Sequence, residues 1–302
     1  MQLRFAFFLL GLVAFCVDVG TARAQSAYVA TNGSDSNSCV TTATPCKSLA
    51  VALEAVAGGG TIFCLNSSSD VYPLFISKSV TIDCAANNFF LQNFPGNFGI
   101  QIAVNQSDGL STVVLRGLVI SSTNNASPGI KIVAAKNVII ENSKIQEQNA
   151  QGILDVRTAP SKLLIKDTTV NSNVGPGIVI AGPAGNAAVL DHVTSNGNSY
   201  GLAVAAGNSV TATHSNFSGN SVAGIVGDGG SQVVVDNSTV SNNATGVSGA
   251  SSVRLYNNTI SFNTTATSGA TGSFGGNRFS GNGSAGTPLT PLGSASTDFG
   301  QQ

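Results

Sequence analysis

The sequence predicts an all-β solenoid, in which short strands wind into stacked coils behind a short N-terminal capping helix. Three observations carry this. A glycine followed by an aliphatic residue recurs at Gly99-Ile100, Gly129-Ile130, Gly152-Ile153, Gly177-Ile178, Gly201-Leu202, Gly224-Ile225 and Gly246-Val247, in steps of 30, 23, 25, 24, 23 and 22 residues. A period in the low twenties on strand-forming segments marks repeats that bury a core only by stacking. Aligning the units then gives two aliphatic columns, Val80, Val113, Val138, Leu163, Ala188, Val210, Val233 and Val253, and, two residues on, Ile82, Leu115, Ile140, Ile165, Leu190, Ala212, Val235 and Leu255. Strand alternation turns both inward. The next residue must face out, and it reads Asp83, Arg116, Glu141, Lys166, Asp191, Thr213, Asp236 and Tyr256. Charge alternates over the first five rungs of that ladder, as it must where like charges would sit about 4.8 Å apart.

The elements follow in chain order. Residues 1–24 read as a secretory signal, with Arg4 in the n-region, an apolar stretch from Phe5 to Cys16, and Ala22-Arg23-Ala24 as a small-x-small cleavage site. The apolar stretch is too short to span a membrane, and no later segment qualifies. An exported chain, periplasmic or extracellular, is therefore expected. Cleavage would remove Arg4, Arg23 and Asp18 and leave 11 basic and 13 acidic residues. That balance gives no electrostatic footprint for nucleic acid or for an anionic membrane. Only 9% of residues are charged, against roughly a quarter in ordinary domains. Glycine and asparagine suit solenoid turns, and Val, Ile and Thr suit its walls.

Residues 25–60 form the expected cap. Ser48 is placed as the N-cap of a helix running through Ala57, with Leu49, Leu53 and Val56 on one face and Gly58-Gly59-Gly60 as its stop. Such a lid would cover the open edge of the first coil. Four cysteines remain after cleavage, Cys39, Cys46, Cys64 and Cys84. An even count in an exported chain favours disulfides, and the absence of CxxC or Cys/His spacing argues against zinc. Three pairings are possible, of which the local one, Cys39–Cys46 with Cys64–Cys84, is preferred.

Residues 61–282 carry the strands, about nine or ten coils in a rod of roughly 45 Å. Three residues after an inward aliphatic, a polar column reads Gln148, Asn173, Asn198, Asn220, Asn243, Asn263 and Asn282. Stacked amides at a turn hydrogen-bond one another and tolerate a left-handed corner. Residues 283–302, rich in Gly, Pro, Ser and Thr, read as a loose tail.

Coils such as Val234-Val235-Asp236-Asn237-Ser238-Thr239-Val240-Ser241-Asn242-Asn243 resemble the right-handed parallel β-helix repeat of the pectate-lyase-like superfamily. The opening, Tyr28-Val29-Ala30-Thr31-Asn32-Gly33-Ser34-Asp35 with Pro45-Cys46-Lys47-Ser48, is similar to the start of many secreted bacterial β-helix proteins. The resemblance implies a single-stranded right-handed parallel β-helix. It leaves the activity open, because its members include lyases, hydrolases and adhesins. Lyases of this kind use an acidic calcium cluster with a basic residue. The hydrolases use paired aspartates and a histidine in Asn-x-Asp, Asp-Asp and Gly-His-Gly motifs. None of these motifs occurs here, and hydrolysis of a glycosidic bond needs two carboxyls at a set separation.

Two places could still bring acid, base and cation together. His192 and His214 follow Asp191 and Thr213 in one turn column and should stack on neighbouring coils. They are read as replacing asparagines in a polar turn ladder that Asn142, Asp167, Asn237 and Asn257 fill elsewhere. The alternative is a small acid/base or weak divalent transition-metal site with Asp191. The second place is Asp155, where the pattern of Ile102, Ile132, Ile180 and Val204 calls for an aliphatic, with Arg157 at the next position of the same parity. A bulge that turns both outward before Ala159-Pro160 is expected, the alternative being a partly buried charged pair. A site there would also be lined by Lys131 of the preceding coil.

A further outward column on the first wall, Val114, Ile139, Leu164, Val189, Thr211 and Val234, is an aliphatic stripe that loops, a ligand or a second copy of the chain would cover. The expected function is a non-catalytic β-helix that binds polysaccharide or another surface component, or serves structurally, without a cofactor. The competing readings are a polysaccharide lyase or glycoside hydrolase with an atypical site, and a periplasmic metal-handling protein.

Overall fold

The computed structural model describes residues 24–70, 73–93, 98–105, 107–122, 127–183 and 185–293. The expected signal, apart from Ala24, and the last nine residues of the expected tail lie outside these. Among the described residues no helix is long and apolar enough to cross a membrane. The chain winds as a parallel solenoid with three walls. Among the described residues the first sheet has twelve strands, and the second and third have ten each. Each strand pairs with the equivalent strand of the next coil, as Val80–Asp83 pairs with Thr112–Arg116 and Thr112–Arg116 with Asn137–Glu141.

The register is the one that the aliphatic columns require. Ile82, Leu115, Ile140, Ile165, Leu190, Ala212, Val235 and Leu255 are consecutive partners and fully buried. The charge ladder follows from that register. Arg116 bridges Asp83 at 3.6 Å and Glu141 at 2.7 Å, while Lys166 approaches Asp191 at 4.0 Å.

The helix is shorter than its apolar face suggested. It spans Leu49–Ala55, capped by the Ser48 hydroxyl accepting from the Val51 N–H. Val56 already begins the strand Val56–Cys64. The three glycines therefore sit inside a strand and do not stop the helix. The physical reason is pairing: the strand Ala24–Val29 lies parallel to Val56–Cys64 and draws those residues into the first sheet. Disulfides join Cys39 to Cys46 and Cys64 to Cys84, the second linking two successive coils.

The corners explain the polar columns. Between the first and second sheets a left-handed residue turns the chain, and it is Gly117, Asn142, Asp167, His192, His214, Asn237, Asn257 and Gly276 in successive coils, the last directly after Gly275, whose φ is also positive. After the second sheet the left-handed position is filled by Glu147, Ser172, Gly197, Gly219, Asn242, Phe262 and Gly281. The ladder amides come one residue later, so they are not the left-handed residues expected. Their work is inside. Asn220, for example, donates from both its backbone N–H and its Nδ2 to Asn243 Oδ1, at 2.9 and 3.0 Å. Asn243 does the same to Asn263, which satisfies corner N–H groups that strand pairing leaves bare. Two other corners carry internal ladders, through Ser215, Ser238 and Asn258 and through Ser161, Asn186 and Asn208. The recurring glycine packs over the ladder: a Cβ on Gly224 would stand 2.8 Å from Asn243 Nδ2 and from the Gly246 carbonyl oxygen.

Candidate functional site

Asp155 is the last residue of the strand Ile153–Asp155 in the third sheet. It pairs in unbroken register with Ile132 below and Ile180 above, so its side chain points inward like theirs. The expected bulge does not exist. Asp155 and Arg157 are 0% and 1% exposed. Arg157 donates from Nε to Asp155 Oδ1 at 2.8 Å and from Nη2 to Oδ2 at 2.5 Å. Its Nη1 donates to the carbonyl oxygens of Ala135 and Lys162. The bidentate fork and the two carbonyls compensate the burial of both charges. Lys131 pairs with Leu154 and shares its outward parity, so it does not line an Asp155–Arg157 site. This pair is part of the core and meets no solvent.

Asp191, His192 and His214 are brought together on the outside, at the corner between the first and second sheets. Asp191 ends the strand Ala187–Asp191, one rung below Thr213. His192 and His214 hold left-handed corner positions of adjacent coils, with φ of 54° and 49°. That conformation is costly for most residues and is tolerated by Asn, Asp and His. The coil spacing then stacks the imidazoles, with centroids 5.0 Å apart and planes 12° from parallel. Both Nδ1 atoms face one carboxylate oxygen, Asp191 Oδ1, at 2.8 Å from His192 and 3.6 Å from His214. The Thr213 hydroxyl donates to the same oxygen at 3.2 Å. Burial pushes the Asp191 carboxyl up, but the His192 hydrogen bond and charge, Thr213 and Lys166 outweigh it and hold it below its usual range. The histidines are more than half exposed, and Asp191 is 28% exposed. The alternative weighed for the two histidines is thus spatially coherent, and the Asp155–Arg157 pair lies apart from it in the core.

A third feature was missed in the sequence. The outward positions of the second sheet form two columns in register, Thr169, Thr194, Asn216, Thr239 and Thr259, and Asn171, Asn196, Ser218, Ser241 and Ser261. Over these five coils the face is hydroxyl and amide only, without a charge; the first column is half-buried throughout, as are Asn171, Asn196 and Ser218, while Ser241 and Ser261 are buried. The signal was the Thr-x-Asn or Thr-x-Ser that follows four of these five corners, with Asn216-Phe217-Ser218 at the other, a pattern without acidic or basic groups. The aliphatic stripe of the first sheet lies where it was expected, with Val114, Ile139 and Leu164 half-buried and Val189 45% exposed. At the C-terminal end a recess of about 440 Å³ opens among Thr267, Phe279, Asn282, Ala285, Thr287 and Leu289, away from the titratable candidates.

The family model described as the right handed beta helix region matches residues 55–213 and 161–297. No curated protein matches the sequence. Among solved structures, the A-module of mannuronan C-5 epimerase AlgE4 from Azotobacter vinelandii is similar at 12% identity, covering 78% of this chain and 91% of its own, with a TM-score of 0.54. XylC in its complex with xylose aligns at 10% identity over 84% of this chain and 68% of its own, with a TM-score of 0.53. The enzymatically active domain of bacteriophage CBA120 tailspike protein 2 aligns at 12% identity, covering 81% of this chain and 42% of its own, again with a TM-score of 0.53. These likenesses concern the fold.

Proposed function

The chain belongs to the right-handed β-helix family, and from that premise we propose that it is a secreted, non-catalytic protein that binds a linear polysaccharide or a similar repeating surface polymer. The observation that carries this reading is the uncharged hydroxyl and amide array on the second sheet. Its rungs repeat at about 4.8 Å. The column from Thr169 to Thr259 is partly exposed over five coils and the second column over the three of Asn171, Asn196 and Ser218, so a polymer lying along the solenoid axis meets similar donors and acceptors again and again. Many weak, periodic hydrogen bonds summed along one chain suit a polymeric ligand better than a small molecule. Two structural neighbours, the mannuronan C-5 epimerase module and the xylose complex of XylC, carry sugars in their names, which makes carbohydrate the first polymer class to test. Secretion is supported by the two disulfides, which persist in oxidising compartments. A non-catalytic role is supported by the state of the acidic candidates. Asp155 is sealed in the core by Arg157, and the histidine cluster holds one carboxylate where glycoside hydrolysis uses two.

The test is electrophoresis of the purified protein through gels containing pectate, alginate, xylan and neutral glucans, with polymer chain length followed in parallel. Retardation by at least one polymer with unchanged chain length is expected. Asn196→Lys, which puts a bulky charge in mid-array, should weaken retention about three- to tenfold, as for the loss of one or two hydrogen bonds, and Val189→Ser on the first sheet should not. Absence of retention by every polymer would overturn the reading. Depolymerisation lost in Asp191→Asn would replace it with an enzyme.

A further inference from the structure

We propose that Asp191, His192 and His214 form a surface site for a divalent transition-metal ion, a property independent of polymer binding by the second sheet. The candidate ligand atoms lie within 4.8 Å of one another. Tetrahedral coordination with bonds of about 2.0–2.2 Å separates neighbouring ligand atoms by about 3.3–3.5 Å. His214 Nδ1 and Asp191 Oδ1, 3.6 Å apart, already have that spacing. His192 Nδ1, at 2.8 Å, is hydrogen-bonded to the same oxygen, and an ion entering between them displaces one proton and opens this contact by about 0.5 Å.

The arrangement is built by the fold. Corner residues repeat once per coil, so side chains there stand directly above one another, and six other corners use Asn, Asp or Gly. Histidine occupies two consecutive corners, beside an aspartate and no other acidic rung between them. The hydrogen bond from Thr213 fixes the carboxylate from behind, as outer partners commonly orient metal ligands. Exposure of both imidazoles leaves positions for water or a second ligand. Two imidazoles and one carboxylate select Cu(II), Ni(II) and Zn(II) over Ca(II) and Mg(II), with Cu(II) bound most tightly. Lys166 Nζ, 4.0 Å from Asp191 Oδ2, opposes the cation and keeps the affinity moderate.

The experiment titrates untagged, metal-free protein with Cu(II), Ni(II), Zn(II) and Ca(II) salts by calorimetry and records the electron paramagnetic resonance spectrum of the Cu(II) form. One ion per chain is expected, with couplings from two imidazole nitrogens. His192→Asn and His214→Asn keep a residue that other corners use, so the fold is retained, which the melting temperature checks. Each should weaken binding by at least about tenfold and leave coupling from one imidazole. Binding no tighter than about 1 mM, or binding that survives in the double variant, overturns the site.

Discussion

Two places along the solenoid set a carboxylate beside a nitrogen-bearing side chain, a guanidinium in one and imidazoles in the other, and differ in everything that follows. Asp155 and Arg157 have inward parity in the third sheet and are sealed in the core. Asp191, His192 and His214 stand at an outward rung and two corners, with the imidazoles more than half exposed. Inside, the charges must satisfy each other completely, and all that the pair can do is hold the chain in place. Outside, the carboxylate and imidazoles are hydrated and only partly engaged, so they remain free to take a ligand. In a solenoid one step of strand parity separates the two outcomes.

The largest way to break this comparison is Arg157→Ala. It leaves the Asp155 carboxylate buried and unpaired, at a cost of about 3–5 kcal/mol, a large share of an ordinary domain's stability. A fall in the urea midpoint should report it. The sharper variant is Asp155→Ile with Arg157→Leu, which extends the column of Ile132 and Ile180. Replacing a buried ion pair by apolar groups is often neutral or stabilising, so the double variant should recover most of the loss. The Ala135 and Lys162 carbonyls, deprived of Arg157, account for what it does not recover. A single-variant cost below about 1 kcal/mol would mean that the pair meets water after all.

That contrast also shows what could be read from the residues alone. The coil register was legible because core aliphatics and alternating charges recur at the same offset in every coil, two independent constraints on one alignment. The disulfide pairing was legible from proximity in sequence. The fate of Asp155 was not, because parity says inward while the cost of a buried charge says outward. Only the Arg157 side chain, reaching back two residues to close a fork, decides between them. The helix end was hidden for a similar reason: the pairing of Val56–Cys64 with Ala24–Val29 is non-local. The second-sheet array went unseen because hydroxyls and amides, unlike carboxylates, are too common in such a sequence to stand out.

A smaller effect separates the outer rungs from one another. Glu141 pairs with Arg116 and stands between Arg116 and Lys166 in the ladder. Glu141→Lys would stack three cations about 4.8 Å apart, and should cost roughly 1 kcal/mol at low salt, recovering partly as added salt screens the repulsion. Unfolding midpoints at low and high ionic strength give the comparison. A salt-independent loss would trace to packing and remove the charge ladder as its cause.

The smallest expected effect belongs to Asp191, and it tests whether the exposed cluster contributes to folding at all. Its carboxyl is held below the ordinary range, burial pushing it up and His192, Thr213 and Lys166 together pulling it further down. A carboxyl whose folded-state value is depressed adds stability above its unfolded value, about pH 3.9. That contribution is lost as pH falls through the lower folded value. His192→Asn removes the strongest of the lowering contacts and should flatten this acid limb. The difference between wild type and variant should therefore be present near pH 5 and shrink as pH falls through the depressed folded value, below which the carboxyl is protonated in both. Asp108, lowered to about 2 by hydrogen bonds from Ser79, Ser111 and Leu110, keeps these partners in both proteins and cancels from the difference. Urea unfolding of the two proteins at several pH values from about 5 downward makes the measurement. A gap that stays constant with pH would show that His192 acts on stability through its corner conformation and not through the carboxylate beside it.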